Sequence, residues 1–150
     1  MGTNYKLLNE QLKNIIDGVD DNISNLSNAS ALLFEELEDI NWTGFYIVKN
    51  GNLNLGPFQG KVACTKIALG KGVCGTALKN RETTVVKNVH EFEGHIACDS
   101  RSNSEIVVPI FNNNDLVALL DIDSISFNRF DENDKAGLEE FCRILGESYQ

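Results

Sequence analysis

The stretch EIVVPIFNNNDLVALLDID, residues 105–123, contains two largely apolar runs separated by a short polar segment. Each run has the length and the β-branched content of a buried strand. The polar residues 112–115 supply a turn, and a turn this short joins antiparallel neighbours. The stretch therefore predicts a β-hairpin.

Further strands are predicted on the N-terminal side of this hairpin. The sequence NWTGFYIVKNGNLNLGPF, residues 41–58, has an aromatic and β-branched run followed by a Lys-Asn-Gly turn at residues 49–51, which indicates a second hairpin. Residues 62–67 predict a third short strand, and residues 83–87 are also typical of a strand.

Helices are predicted at both ends of the chain. Residues 4–40 carry apolar side chains at helical spacing, interrupted around residues 18–21, so two helical segments are expected. Residues 131–134 cap an amphipathic helix that has Leu138, Phe141, Cys142 and Leu145 on one side. This order of elements indicates an α+β fold with a central antiparallel sheet, flanked by N-terminal helices and a C-terminal helix.

The stretch LGKGVCGTALKN, residues 69–80, has the G-x-G-x-x-G spacing of a dinucleotide-binding loop. That motif requires a strand–loop–helix unit of a parallel sheet and an acidic residue about 20 positions further on. Here it follows strands already assigned to a hairpin, and residues 90–93 are typical of a loop. We therefore expect the glycines to turn the chain into a helix over about Gly75 to Lys79, with Cys74 presented at the helix start.

Length and charge limit the classes of function. A chain of 150 residues with 42% hydrophobic residues predicts one domain, residues 1–150, with a helical segment over 1–40 and the sheet and loops over 41–150. The net charge of −9 and the lack of a basic cluster argue against nucleic acid as a partner. No apolar run is long enough to span a membrane and the N-terminus lacks a secretory pattern, so a cytoplasmic location is expected.

The four cysteines are not expected to form a permanent disulfide framework in a reducing compartment. The chain has no C-x-x-C motif and only two histidines, so we expect no metal site and no cofactor. The cysteines are then either buried apolar residues or redox-active thiols.

Four segments carry a specific resemblance. NWTGFY, ACTKIALGKGVCGTA, HIACDSRSNSEIVVPI and ALLDIDS resemble, in this order and at these separations, the free methionine-(R)-sulfoxide reductases, a catalytic family built on the GAF fold. The resemblance implies a GAF-like sheet and reduction of free L-methionine (R)-sulfoxide, with thioredoxin or a similar dithiol as reductant. The alternative is a non-catalytic GAF module that senses a small molecule, since the fold alone does not imply turnover. The helical pattern of the first 40 residues is compatible either with a cover over one face of the sheet or with a homodimer contact.

The cysteines fit the chemistry of that family. Reducing a sulfoxide requires a thiol that becomes a sulfenic acid and a second thiol that rescues it. By resemblance, Cys98 is the attacking residue. Either Cys64 or Cys74 can resolve the sulfenic acid; the family pattern favours Cys64 as the first disulfide partner of Cys98, with Cys74 passing the disulfide to the external reductant. Cys142 lies outside the pattern and is expected in the core.

Three carboxylates are candidates for substrate binding. Asp121 and Asp123 are two residues apart and share one face of their strand, and Glu105 begins the neighbouring strand. If they converge, one can stay protonated and bind the sulfoxide oxygen while another stays ionised for the ammonium. The resemblance also assigns Trp42 and Tyr46 to the wall that contacts the substrate's S-methyl group.

Overall fold

The computed structural model describes residues 2–94 and 101–150. In these two ranges the chain forms four α-helices, one 3₁₀ turn and six strands. The elements, in chain order, are α1 (Tyr5–Ile16), α2 (Asn22–Glu36), β1 (Trp42–Lys49), β2 (Asn52–Gln59), β3 (Lys66–Ile67), α3 (Gly72–Asn80), β4 (Thr84–Val86), the 3₁₀ turn (Val89–Glu91), β5 (Ser104–Asn112), β6 (Asp115–Ser124) and α4 (Glu132–Ser148).

The strands form one antiparallel sheet with the order β3-β2-β1-β6-β5-β4. Both predicted hairpins are confirmed. The β1–β2 turn uses Asn50 and Gly51, both with positive φ (53° and 79°), as a tight two-residue hairpin turn requires. Pairing of β1 with β6 joins the two hairpins at the centre of the sheet. The expected α+β class is therefore confirmed, and a parallel dinucleotide-binding sheet is excluded.

The predicted helices are also confirmed, and α1, α2 and α4 each begin at a side chain that accepts hydrogen bonds from backbone N–H groups. Asn4 and Asp21 accept hydrogen bonds at the starts of α1 and α2. Asp131 accepts from the backbone of Asp134, whose side chain accepts in return from the backbone of Asp131, which forms a capping box at α4. No helix in the described part of the chain is long and apolar enough to cross a membrane.

Two local predictions need correction. The strand expected over residues 62–67 is limited to Lys66–Ile67, so Cys64 precedes the strand. The reason is that side chains of β1 bind the backbone there: Trp42 Nε1 donates to the carbonyl of Lys61, and the Tyr46 hydroxyl donates to the carbonyl of Cys64, each over 3.0 Å.

Helix α3 begins at Gly72, three residues earlier than expected. The backbone N–H of Gly75 already donates to the carbonyl of Lys71, 2.9 Å away, in the i to i−4 pattern of an α-helix. Cys74 therefore lies within the first turn of α3.

The sheet separates two clusters of buried side chains. Helices α1, α2 and α4 cover one face, called here the helix face, where Phe45, Ile106 and Leu120 point. Helix α3 and the segments around β3 and β4 cover the other, called the α3 face, where Trp42 and Tyr46 point. Because side chains alternate along a strand, the same strands supply both clusters.

Candidate active site

A pocket of about 40 Å³ opens on the α3 face. It receives residues from the central strands, from the start of α3 and from the segment before β3. Six of the eight residues predicted for the site line it: Trp42, Tyr46, Cys74, Glu105, Asp121 and Asp123.

Strand register brings the three carboxyl groups together. Asp123 pairs with Glu105 across β5–β6 and with Trp42 across β1–β6. Asp121, two residues earlier on the same face, pairs with Gly44 of β1. The convergence expected from the spacing of the carboxylates is therefore present in the fold.

Burial sets the protonation of this cluster. Glu105 and Asp121 are only 7% and 6% exposed. Burial, together with the charges of Asp121 and Asp123, raises the pKa of Glu105 well above its usual range. Burial also raises the pKa of Asp121, against hydrogen bonds that lower it. A neutral Glu105 beside ionisable aspartates gives the pocket both a hydrogen-bond donor and carboxylate acceptors.

Cys74 is placed against these carboxyl groups by the glycine-rich turn. Gly70 and Gly72 have φ angles of 81° and 63°, which glycine adopts without strain. A Cβ on Gly75 would lie 2.5 Å from the carbonyl oxygen of Ala68, so this position also has no room for a side chain. The turn explains the glycine spacing without a nucleotide.

The Cys74 thiol is free and buried, with Sγ 4.0 Å from Oε2 of Glu105. Burial raises the pKa of this thiol well above its usual range, and the charge of Asp121 raises it further. A thiol held neutral is a weak nucleophile, because the thiolate is the reactive form. Cys74 is therefore unsuited to the first attack on a substrate.

Of the other two cysteines predicted for the site, the structure describes Cys64 but not Cys98. Cys64 is disulfide-bonded and lies in the segment between β2 and β3, where its carbonyl accepts from Tyr46. Cys98, the predicted nucleophile, lies outside the described residues. Cys142 is a free thiol in the apolar cluster of the helix face, so its expected core position is confirmed.

Aromatic side chains form one wall of the pocket. The rings of Trp42 and Tyr46 stack with centroids 6.1 Å apart, and the ring of Phe58 stacks on Trp42 with centroids 5.2 Å apart. Gly44 makes this packing possible, because a Cβ there would lie 2.2 Å from the Cβ of Phe58. Phe45 points to the opposite face, as expected.

Sequence reasoning missed Phe58, Lys71 and Ser102. Phe58 stacks on Trp42, while Lys71 and Ser102 line the pocket. The hairpin turn does not reveal Phe58, because the register set by Asn50-Gly51 would pair Gly44 with Pro57, and a β-bulge between Gly44 and Tyr46 shifts the pairing by one residue to Phe58. Lys71 and Ser102 lie outside regular strands and carry no periodic signal.

Known proteins resemble this chain along most of its length. The model of the GAF domain family matches residues 11–148, so the chain is a GAF-domain protein. It is 48% identical over 141 residues to the free methionine-R-sulfoxide reductase of Escherichia coli, a match that covers 94% of this chain and 86% of that protein. The chain belongs to the free methionine-R-sulfoxide reductase family.

Solved structures agree with this assignment. The fRMsr of Staphylococcus aureus in its reduced form superposes with a TM-score of 0.96 at 50% identity, covering 99% of this chain and 97% of that one. The free methionine-R-sulfoxide reductase of Neisseria meningitidis, in complex with its substrate, gives a TM-score of 0.93 at 40% identity, covering 97% and 87%. The resemblance found in the sequence is confirmed.

Proposed function

We propose that this chain is an oxidoreductase that reduces free methionine-R-sulfoxide to methionine. The observation that carries the proposal is the pocket itself: three carboxyl groups, two of them nearly inaccessible, face an aromatic wall in a member of this reductase family. A sulfoxide oxygen, an ammonium and a methyl group each need a different kind of partner, and this pocket offers all three.

In the proposed first step, the thiolate of Cys98 attacks the sulfur of the sulfoxide. The cysteine is oxidised by two electrons to a sulfenic acid, the substrate is reduced to the thioether, and the oxygen moves from the substrate sulfur to the cysteine sulfur. Cys64 then attacks the sulfenic sulfur, which forms a disulfide and releases water. The disulfide-bonded state of Cys64, beside free thiols at Cys74 and Cys142, supports this role for Cys64.

Regeneration requires an external dithiol. We propose a thioredoxin-type reductant that restores Cys98 and Cys64 by thiol–disulfide exchange, with Cys74 as the relay. The buried position of Cys74 beside the pocket means that such a relay requires the reductant, or part of the chain, to reach the α3 face. A homodimer and a cytoplasmic location stay predictions.

The carboxyl groups take complementary roles in the proposal. Glu105, whose pKa is raised by burial and by the neighbouring aspartates, donates a hydrogen bond to the sulfoxide oxygen and supplies its proton, with Asp123 as its partner across the strands. Asp121 accepts from the substrate ammonium. Its Oδ1 is buried and has no hydrogen-bond partner among the described residues, so an acceptor is available there.

The aromatic side chains hold the reacting sulfur. Trp42 and Tyr46 are 3% and 2% exposed, and their rings are fixed by the hydrogen bonds to Lys61 and Cys64. We propose that they contact the S-methyl group and keep water from the attacking thiolate.

The test is a chromatographic assay of methionine formation from the separate R and S epimers of free methionine sulfoxide, with dithiothreitol as reductant. We expect methionine from the R epimer only. The same assay with thioredoxin and thioredoxin reductase tests the reductant. No methionine from either epimer would refute the enzyme and favour a ligand-sensing GAF module.

A further inference from the structure

Cys74, Glu105 and Asp121 form a cluster of metal-binding groups inside the pocket. One ligand atom from each, the thiol sulfur and two carboxyl oxygens, lies within 4.8 Å of the others, and all three residues are buried. A tetrahedral zinc site with bonds of about 2.0–2.3 Å places its ligand atoms about 3.3–3.8 Å apart. Small side-chain rotations would therefore bring the three atoms to coordinating distances.

A second observation points to a bound group at this cluster. Oδ1 of Asp121 has no hydrogen-bond partner within the described ranges, although the side chain is more than nine-tenths buried and lines the pocket. A buried polar atom without a partner loses its hydration without gaining a hydrogen bond, so a ligand that satisfies it is favoured. No ion pair in the described part of the chain involves Glu105 or Asp121.

We propose that Cys74, Glu105 and Asp121 bind a thiophilic divalent cation, with zinc as the physiological candidate. Thiolate and carboxylate are both zinc ligands, and three protein ligands leave a fourth position open to water. A dication binds the deprotonated forms of Cys74 and Glu105, so metal binding releases the protons that these two groups hold in the free pocket. The three ligands come from α3, β5 and β6, so no local sequence motif predicts the site.

Such an ion would inhibit the enzyme. This consequence rests on the proposed function, because Glu105 and Asp121 are also the groups proposed to bind the sulfoxide oxygen and the ammonium. The ion and the substrate then compete for the same atoms. The site is therefore a point at which metal availability limits sulfoxide reduction, and the ion is not a cofactor.

Metal binding can be tested without measuring catalysis. Protein with its Cys64 disulfide intact is freed of thiol reductant, since dithiols themselves bind zinc, and is titrated with cobalt(II). The only described free thiols are then Cys74 and Cys142. We expect about one cobalt per chain, with a thiolate-to-cobalt charge-transfer band that zinc abolishes by displacement.

Matched variants assign the ligands. Cys74→Ser should lose the band, whereas Cys142→Ser should keep it, because Cys142 packs in the apolar cluster and belongs to no group of three potential metal ligands among the described residues. Asp121→Asn keeps the shape of the side chain and should weaken cobalt binding at least about tenfold. Its circular dichroism spectrum and melting curve show whether it is folded, so the test does not depend on the Cys74 variant alone.

The outcomes separate this inference from the reductase proposal. No cobalt band in the wild-type protein, or an unchanged band in Cys74→Ser, would overturn the metal site. Free methionine-R-sulfoxide should raise the cobalt concentration needed for half-saturation. If that concentration stays unchanged, the ion and the substrate do not share the pocket. If the chain binds cobalt as expected but forms no methionine, the metal site stands and the proposed activity falls.

Discussion

The helix face of the sheet buries more apolar side chains than the α3 face, and the two faces place different neighbours around a thiol. Cys142 and Cys74 are both free and almost fully buried, at 1% and 4% exposure. Burial raises the pKa of both thiols. Cys142 packs among apolar residues of the helix face, whereas Cys74 lies beside Glu105 and Asp121.

The difference shows how one set of strands supplies a stable core and a reactive pocket. On β6, Leu120 and Ile122 point to the helix face while Asp121 and Asp123 point to the α3 face. Moving a carboxyl group by one position would bury it in the apolar cluster without a partner. The alternation of side chains therefore confines these carboxyl groups to one face.

The largest expected effect tests whether chemistry is confined to the α3 face. Cys98→Ser should abolish methionine formation even in a single turnover, because no thiolate is left to attack the sulfur. Cys64→Ser should release about one methionine per chain and then stall as the sulfenic acid, since one thiol is used per turnover. Rapid-quench measurement of the burst distinguishes these variants.

Cys142→Ser is the matched control for the cysteine series. It should leave the burst and the steady-state rate of the folded protein near those of the wild type. A full burst from Cys98→Ser would mean that another cysteine attacks the substrate, and a lost burst in Cys142→Ser would mean that the helix face takes part in the chemistry.

The carboxyl groups should give the next largest effects. Glu105→Gln and Asp123→Asn keep hydrogen-bonding shape but cannot deliver a proton, so we expect the single-turnover rate to fall roughly 10²- to 10⁴-fold. Asp121→Asn should act mainly on KM, because it removes a charge that binds the ammonium. Single-turnover rates over a range of R-sulfoxide concentrations separate the two effects, and wild-type rates in all three variants would place the site elsewhere.

The sequence predicts much of this fold because its local signals agree with the final structure. The Asn50-Gly51 turn, the polar segment at 112–115 and the two-residue spacing of Asp121 and Asp123 each act over a few residues. Period-two alternation then assigns Trp42 and Phe45 to opposite faces. These predictions do not require knowledge of distant contacts.

What the sequence does not predict depends on long-range contacts. The pairing of Trp42 with Asp123 joins residues about 80 positions apart, and no local pattern fixes that register. Strand β3 is short because Trp42 and Tyr46 bind the carbonyls of the preceding segment, which strand propensity does not include. The metal-binding cluster is missed for the same reason, since it combines three separate elements.

The next prediction concerns the pH dependence of folding stability that comes from Glu105 on the α3 face. The pKa of Glu105 is raised above its ordinary value of 4.5 by burial and by Asp121 and Asp123, so the folded protein keeps a proton that the unfolded chain loses. This contribution to stability is complete below about pH 4.5 and decreases as pH rises toward the folded-state pKa.

Glu105→Gln removes that titration. The free energy of unfolding of the variant should therefore rise relative to the wild type as pH increases above about 4.5 toward the folded-state pKa, with a difference in slope of at most about 1.4 kcal/mol per pH unit. Urea unfolding at several pH values measures the slope, and Glu35→Gln, at an exposed position on α2, controls for the loss of one carboxyl. Parallel slopes for Glu105→Gln and the wild type would contradict the raised pKa.

The smallest effect concerns the cap of α4 on the helix face, and its pH dependence has the opposite sign. Asp131 accepts a 2.9 Å hydrogen bond from the backbone of Asp134, and this bond lowers the pKa of Asp131 below its ordinary value of 3.8. The contribution of Asp131 to stability is therefore present above pH 3.8 and is lost as pH falls.

Asp131→Ala should cost about 1 kcal/mol near neutral pH, the usual value of an N-cap, while Asp131→Asn should retain most of the stability but lose the acid dependence. Urea unfolding at pH 7 and pH 3 checks both variants. The folded fraction of each should reduce sulfoxide at the wild-type rate, because α4 packs on β5 from the helix face of the sheet, opposite the pocket; a larger loss of activity than of folded protein would mean that the two faces are coupled through the strands they share.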